Sequence, residues 1–380
     1  MKKYLFVCLF ISIFSSCVKE KKEKSINAEA LMNVSLDLEM EKLQSVDAYI
    51  DTMFMVPLET TDNALLGSNV EIHIYDSLIY AHSLRSPSIF IYDMEGKLKR
   101  TFERKGEGPE EYLDIEDFFL KDDKIYIYCR GLRCLKQYDL NGKYLKELDL
   151  STYPHCSSVI PFQNQYICYF ENPHDNLPSV YVVNETGELI NSYFKDTGYA
   201  TGCVFSDRPL AEVKEGVVAN FVLDYNTYLY NGTEWIVNEQ FDFGDNGIPI
   251  DRRQVLMDEL NQEKIMAVEN KVTRIDNIVN IKDWTHYKFW QGSTDISVFI
   301  NSKTGKHLSK GKGLFNHCRS MMWSNEDYFV GVIYSGYLTE LLANRINLFN
   351  ETISSYEQQY LDLNIGEEDN PVLCFFKLKN

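Results

Sequence analysis

The sequence lacks a long hydrophobic run after its first residues, and it lacks an excess of positive charge. Of its 380 residues, 56 are acidic and 38 are basic, and the formal net charge is −18. A polyanion would meet repulsion across most of such a surface, so nucleic acid is not expected as a partner. No later segment approaches the roughly 20 apolar residues that a transmembrane helix needs. The body of the chain is therefore predicted to lie outside the bilayer.

The sequence also lacks the motifs of common catalytic and metal sites. It contains no HExxH, HxH, GxSxG or CxxC motif, and its seven histidines are dispersed. Each lone histidine is expected to be a packing or surface residue. No cofactor is predicted, and whether the protein is an enzyme stays uncertain, with a non-enzymatic role favoured.

The first residues have the pattern of an export signal. A charged start precedes an apolar stretch over residues 4–14, and Phe14-Ser15-Ser16-Cys17 resembles the lipobox of bacterial lipoproteins. We predict a signal peptide over residues 1–16, lipidation at Cys17 and a flexible charged tether over residues 17–30. The protein would then be anchored by lipid to the outer membrane, either in the periplasm or at the cell surface. An ordinary secretory signal with a chance cysteine is the alternative.

Nine cysteines are present, including one in the signal and one at the lipobox. The other seven cannot all pair, and scattered cysteines on strands are more often small buried apolar residues. A disulfide between Cys129 and Cys134, the nearest pair in the sequence, stays open.

Internal repeats organise the rest of the chain. An aromatic or apolar strand followed by a polar turn recurs with glycines at positions 96, 142, 187, 232 and 305. Each period holds about four short strands, which is typical of a β-propeller blade. The sequence predicts an all-β fold, a single six-bladed β-propeller of four-stranded antiparallel blades over residues 31–380. Five or seven blades are the alternatives.

The predicted blades are unevenly spaced, and the sixth is incomplete. They cover residues 70–105, 114–150, 156–196, 204–243 and 272–310, with a sixth from His317. Helical inserts near 252–270 and 337–360 account for the irregular spacing, because the first has no Gly or Pro and favours a helix. The sixth blade lacks a strand, and we predict that the N-terminal segment 54–58 supplies it and closes the ring.

Three short motifs carry a resemblance to a known family. They are Val56-Pro57-Leu58-Glu59, residues 104–112 (RKGEGPEEY) and Asn370-Pro371-Val372-Leu373. With these motifs the chain resembles the six-bladed β-propeller lipoproteins of Gram-negative gut anaerobes over nearly all of its mature length. The resemblance implies the fold, but the family has no agreed activity and implies no ligand. Where the family often has glycine, this chain has Glu110. We interpret residues 104–112 as a tight crossing between blades and not as a phosphate loop.

The candidate ligand site is the mouth of the central channel. Loops that lead into the innermost strands converge there, and in the predicted register they offer Tyr112, His155, Arg208, His317 and Arg319, with Trp284 or Trp323 nearby. This mixture suits a carbohydrate, a peptide or a small anionic ligand.

Three functions from different classes follow. The favoured one is a non-enzymatic binding or scaffold lipoprotein that is held at the membrane by its lipid and presents the propeller to a glycan, a peptide or an envelope protein. The alternative is a metal-dependent hydrolase or lyase, similar to propeller lactonases, with Ca²⁺ or Zn²⁺ in the channel. Its candidate ligands are Glu116, Asp117, Asp207 and Asn325. The third is a sensory or assembly partner of a neighbouring membrane system.

Overall fold

Six β-sheets arranged in a ring account for most of the chain. The computed structural model describes residues 26, 30–38, 43–67, 69–84, 86–170, 177–194, 208–259, 268, 270–309, 318, 322–349 and 351–379. The first strand of each sheet lines a central channel, and the following strands run antiparallel outward. The predicted six-bladed β-propeller is confirmed.

The three N-terminal strands do not form a sheet of their own. They are β1 (Met32–Ser35), β2 (Gln44–Ser45) and β3 (Ile50–Pro57), with a short 3₁₀ helix over Val46–Tyr49 before β3. Each joins the outer edge of a blade whose other strands come later in the chain.

The first three blades are each made of four consecutive strands. Blade 1 contains β4 (Val70–Tyr75), β5 (Leu78–Ser83), β6 (Ser88–Asp93) and β7 (Leu98–Glu103). Blade 2 contains β8 (Asp117–Lys121), β9 (Lys124–Cys129), β10 (Cys134–Asp139) and β11 (Tyr144–Asp149). Blade 3 contains β12 (Ser158–Phe162), β13 (Gln165–Tyr169), β14 (Val180–Asn184) and β15 (Leu189–Tyr193).

The last three blades take in the N-terminal strands. Blade 4 contains β16 (Leu210–Val213), β17 (Gly216–Asn220), β18 (Asn226–Tyr230), β19 (Trp235–Asp242) and β1. Blade 5 contains β20 (Val272–Ile281), β21 (Trp284–Gln291), β22 (Thr294–Asn301), β23 (His307–Ser309) and β2. Blade 6 contains β24 (Met322–Ser324), β25 (Phe329–Ile333), β26 (Val372–Leu378) and β3.

The middle strands of the blades are buried on both faces. In blades 1 and 2, the strands β5, β6, β9 and β10 are buried along almost their whole length, whereas the outer strands β7 and β11 have many exposed positions. Neighbouring blades cover both faces of each sheet, so an apolar residue is favoured at every middle position. This explains runs such as Ile89-Phe90-Ile91-Tyr92 that do not alternate with polar residues.

The two ends of the chain close the ring in blade 6. Strand β3 pairs antiparallel with β26, from Ile50 opposite Leu378 to Pro57 opposite Val372. The predicted closing strand is confirmed, and it begins at Ile50, four residues earlier than expected. The longer pairing gives every residue of β26 a partner, so the last strand has no open edge toward β3.

The fifth strands of blades 4 and 5 were not predicted. Strand β1 runs parallel to β19, with Met32 opposite Glu239, and β2 runs parallel to β23, with Gln44 opposite Leu308. These strands are only four and two residues long, and strands far along the chain supply their hydrogen-bond partners. These additions cover the outer edges of two blades.

The helical inserts are confirmed. The first insert contains α1 (Ile250–Glu259), which begins two residues before the predicted start, and the rest of that prediction lies largely outside the described residues. The second contains α2 (Tyr337–Phe349) and α3 (Ser355–Asp362), where Ser354 and Glu357 form a capping box. Within the described part of the chain, none of the helices combines the length and apolar character that crossing a bilayer requires.

Candidate functional site

A cavity of about 820 Å³ occupies the central channel. It is lined by residues from the innermost strand of every blade, β4, β8, β12, β16, β20 and β24. Its lining combines apolar residues, such as Ile160, Leu210 and Ile278, with polar and charged ones. A volume of this size suits a small organic molecule or a short segment of a chain.

Charged side chains gather where the innermost strands begin. Glu71 and His73 lie on β4, Asp117 is the first residue of β8, and Arg208 lies just before β16. Alternate residues of a strand share a face, so Glu71 and His73 both turn toward the channel. Atom Nε2 of His73 and Oε1 of Glu71 are hydrogen-bonded at 2.9 Å, and their side chains are 22% and 18% exposed.

Arg208 reaches across the channel from blade 4 to blade 6. Its guanidinium carbon lies 4.0 Å from the centre of the Trp323 ring, in a cation–π contact. Its backbone N–H donates to Oδ1 of Asp276 at 3.1 Å, which fixes the start of the side chain. Burial lowers the pKa of Arg208, and the negative charges of Glu71, Asp117 and Asp276 act in the opposite direction. Arg208 is therefore a positioned cation in a mostly acidic wall.

Burial dominates the electrostatics of the other three groups. It raises the pKa of Glu71 to about 7, although the charges of Arg208 and His82 act to lower it. It also raises the pKa of Asp117 to about 7, helped by the charge of Glu71, while the Val159 N–H donates to Oδ2 of Asp117 at 2.7 Å. Burial and the charge of Arg208 lower the pKa of His73 to about 3. The contact of His73 with Glu71 is therefore a hydrogen bond of a neutral ring.

These pKa values predict how stability depends on pH. A carboxyl group whose pKa is raised on folding contributes less stability as pH rises from its usual value, here 4.5, to about 7. The variant Glu71→Gln has no carboxyl group at this position, so it does not lose stability in this way as the pH rises. The free energy of unfolding of the variant minus that of the wild type should therefore be about 1–2 kcal/mol larger at pH 8 than at pH 5. Urea unfolding at both pH values measures it.

The control for this experiment is Glu95→Gln, at an exposed position in a turn of blade 1. Because this side chain is exposed, the substitution should change the free energy of unfolding by no more than about 0.5 kcal/mol at either pH. His73 titrates in the wild type and in both variants, so its own effect largely cancels in the comparison. A gain from Glu71→Gln that does not change with pH would contradict the assigned burial cost.

The structure places the predicted site residues in different surroundings. Arg208 lines the cavity, whereas His155 is exposed and is not among the lining residues. Tyr112 is fully buried, and its hydroxyl donates to the carbonyl oxygen of Pro87 at 2.5 Å and accepts from the Arg104 N–H at 3.0 Å. It packs in the apolar cluster shared by blades 1 and 2, as expected for a crossing between blades.

Of the other predicted residues, some line the cavity, some lie elsewhere in the fold and some lie outside the described residues. Cys17, Asp207, His317 and Arg319 lie outside the described residues. Glu116, Asp117 and Trp323 line the cavity, whereas Trp284 is buried in blade 5, with its indole N–H donating to the Lys379 carbonyl at 3.0 Å. Asn325 lies in the turn after β24 and accepts N–H bonds from Asp327 and Tyr328.

Sequence reasoning missed Glu71 and His73. The signal was present in the segment Val70–Tyr75, where Glu71 and His73 alternate with Val70, Ile72 and Ile74. In an innermost strand the alternate polar positions face the channel, since the others pack against the neighbouring blades. Among the described residues, no group of three or more His, Cys, Asp or Glu side chains is arranged to hold a metal ion.

The chain matches a known protein family over nearly its whole length. The model of the family described as Domain of unknown function (DUF4934) matches residues 31–377. The chain belongs to this family. The match spans all six blades, so the family is defined by the whole propeller. No curated protein matches the chain.

Two crystal structures from the genus Bacteroides have similar folds. One is a protein of Bacteroides fragilis whose name describes an exported protein; it has a TM-score of 0.75 and 14% identity, over 92% of this chain and 99% of that one. The other is a member of the DUF4221 family from Bacteroides vulgatus, with a TM-score of 0.51 and 11% identity, over 87% of this chain and 98% of that one. At such low identity the likeness shows the fold alone.

Proposed function

We propose that the protein is an envelope-located binding module, without catalytic turnover, whose central channel holds a small ligand carrying a positively charged amino group. A cationic amino acid or the end of a short peptide has this chemistry. The export signal and the lipobox-like Cys17 support the location, together with the name of the structurally similar Bacteroides fragilis protein.

The observation that carries the proposal is the pair of carboxyl groups Glu71 and Asp117 in the cavity wall. Burial raises the pKa of both groups, and the charge of Glu71 raises that of Asp117 further, because the neighbouring positive charge of Arg208 does not offset these effects fully. An ammonium group placed between them would supply that charge and displace the retained proton. Arg208 acts on both groups through space while its guanidinium stays on Trp323. Oε1 of Glu71 is hydrogen-bonded to His73 and Oδ2 of Asp117 accepts the Val159 N–H, so the second oxygen of each carboxyl group is left to receive a ligand.

The rest of the cavity supports the same ligand class. Five acidic residues line it, compared with two basic ones. Glu116 is already bound to Arg130 at 3.0 Å, and the Lys121 ammonium donates to the Gln163 carbonyl at 3.2 Å. Trp323 is 3% exposed, so its ring offers no open face on which a sugar could stack. A glycan is therefore a poorer fit than an amine.

The test is a binding screen on the chain from residue 25 onward. Thermal shift followed by calorimetry would compare amino acids, short peptides and diamines with neutral oligosaccharides and dicarboxylic acids. We expect the amines to bind and Glu71→Gln or Asp117→Asn to weaken them about tenfold or more, the value of a lost charge-assisted hydrogen bond. Affinity should fall between pH 8 and pH 5 as the carboxyl groups become protonated.

The matched control is again Glu95→Gln, which should bind like the wild type because the residue lies in an exposed turn. Selective binding of sugars or dicarboxylic acids, with amines inert, would overturn the ligand class. Recovery of a chemically altered amine after incubation would show that the channel is an active site and not a binding site.

A further inference from the structure

Six buried cysteines are distributed over three blades. Beyond Cys8 in the signal, Cys17 at the lipobox and Cys203 outside the described residues, every cysteine of the chain is at most 2% exposed. The six are Cys129, Cys134, Cys156, Cys168, Cys318 and Cys374. They lie two by two in blades 2, 3 and 6.

The pair in blade 2 is set by strand register. Cys129 ends β9 and Cys134 begins β10, and the two residues are directly opposite each other. Opposite residues of antiparallel strands have Cα atoms about 4.5–5.5 Å apart, within the range that a disulfide spans. Contact with the Cys134 thiol lowers the pKa of Cys129 to about 7, which favours the reactive thiolate.

The pair in blade 3 links the start of the blade to its second strand. Cys156 lies just before β12 and Cys168 lies on β13, and the Ser157 N–H donates to the Tyr169 carbonyl at 3.0 Å between them. Both cysteines belong to one apolar cluster, and the Cys156 thiol and burial together raise the pKa of Cys168.

The pair in blade 6, Cys318 and Cys374, depends on a glycine at position 331, which leaves room for the Cys318 side chain. Cys374 on β26 is opposite Gly331 on β25, and a Cβ atom added to Gly331 would lie 2.8 Å from the sulfur of Cys318. Cys318 therefore lies over the sheet where any other residue at position 331 would exclude it. Both cysteines belong to one apolar cluster, and the Cys318 thiol and burial together raise the pKa of Cys374. This pair spans the chain segment that contains α2 and α3.

We propose that these cysteines form three structural disulfides, Cys129–Cys134, Cys156–Cys168 and Cys318–Cys374, as the exported chain folds. A need for small apolar residues explains why each cysteine is buried, but it does not explain why all six lie in pairs. Exported proteins meet an oxidising compartment in which such pairs persist as disulfides. Cys203 is left as the single thiol of the lipidated chain.

The chemistry is thiol–disulfide exchange with an oxidised dithiol protein of the envelope. One thiolate of the pair attacks the donor disulfide and forms a mixed disulfide; the second thiolate then attacks that bond and releases the donor as a dithiol. The pair loses two electrons and two protons, and the donor gains them. Because the sulfurs are buried in the folded blades, this exchange occurs during folding.

The experiment uses the full chain, exported with its own signal and extracted from the cell envelope. Free thiols are alkylated in denaturant before any reductant is added, and the peptides are mapped by mass spectrometry without reduction. We expect one alkylated cysteine, Cys203, and three cross-linked peptides with the pairing given above. Alkylation of all seven non-lipidated cysteines, or a different pairing, would overturn the proposal.

Two controls distinguish disulfides formed during export from disulfides formed during extraction. The same chain without residues 1–16, made in the cytoplasm, should have every thiol alkylated; disulfides there would show that oxidation occurred during extraction. The exported variant Cys374→Ala should add one alkylated residue, Cys318, and keep the other two cross-links. Loss of all three cross-links in that variant, with its propeller still folded, would contradict independent structural pairs. The wild-type map decides the proposal if the variant fails to fold.

Discussion

The variant Asn370→Ala is expected to lower the free energy of unfolding by about 3–5 kcal/mol, because it removes the hydrogen bonds that lock the closed ring. Asn370 is 2% exposed, and its Oδ1 accepts the Leu66 N–H at 2.7 Å. Its Nδ2 donates to the carbonyl oxygens of Glu59 and Ala64 at 2.9 and 2.7 Å. Alanine would remove the partners of three backbone groups, of which the Ala64 carbonyl is buried and the Leu66 N–H and the Glu59 carbonyl are partly buried. Urea unfolding measures the loss.

The matched control is Asn33→Ala, at an exposed position of β1. Its effect should stay within about 0.5 kcal/mol of the wild type, as for most surface substitutions. Among the residues that the structure describes, the Asn370 side chain bonds to the segment that follows β3 and to the Tyr92 hydroxyl of blade 1. Equal stability of the two variants would show that ring closure depends on the strand pairing alone.

The variant Gly96→Ala is expected to cost about 3–5 kcal/mol, several times the cost of Gly305→Ala. Both glycines occupy the same turn of the repeat, with φ of +80° and +66°. A Cβ atom at position 96 would lie 2.0 Å from the carbonyl oxygen of Pro57, whereas nothing lies within 4 Å at position 305. The two variants share the strain of a positive φ, so their difference isolates the contact with the closing strand.

Thermal unfolding of both variants, followed by circular dichroism, measures this difference. Gly305→Ala should cost about 1–2 kcal/mol, the ordinary strain of an L-residue in the left-handed region. If the two variants melt together, β3 must be able to move away from the turn, and the close approach of Pro57 to blade 1 does not constrain the ring.

The motifs that carry the family resemblance acquire a physical reason from these contacts. The opening motif ends in Glu59, whose N–H donates to the Gly96 carbonyl and whose carboxylate accepts the Leu98 N–H. The closing motif begins with Asn370. Both motifs therefore lie at the junction of blades 6 and 1. The sequence shows the motifs, and the structure shows the junction that they stabilise.

The candidate site was only partly predictable. Arg208 was expected at the channel mouth from the blade register, and the structure places it on the cavity wall. Tyr112 was expected both there and between blades, and the structure buries it between blades 1 and 2. A shift of a few residues in a loop decides whether a side chain enters the channel, and the repeat pattern does not fix loops that closely.

The sequence by itself determined the repeating unit and the closing of the ring, because hydrophobic strands with a fixed period must cover one another's faces. It favoured six blades over five or seven, and the structure settled that number. The sequence also determined the acidic charge and the helical inserts. Only the tertiary structure decided which distant residues meet. Glu71, Asp117 and Arg208 come from three blades, and Cys318 meets Cys374 only across Gly331. Such contacts depend on how the blades are placed around the axis, which local sequence patterns do not encode.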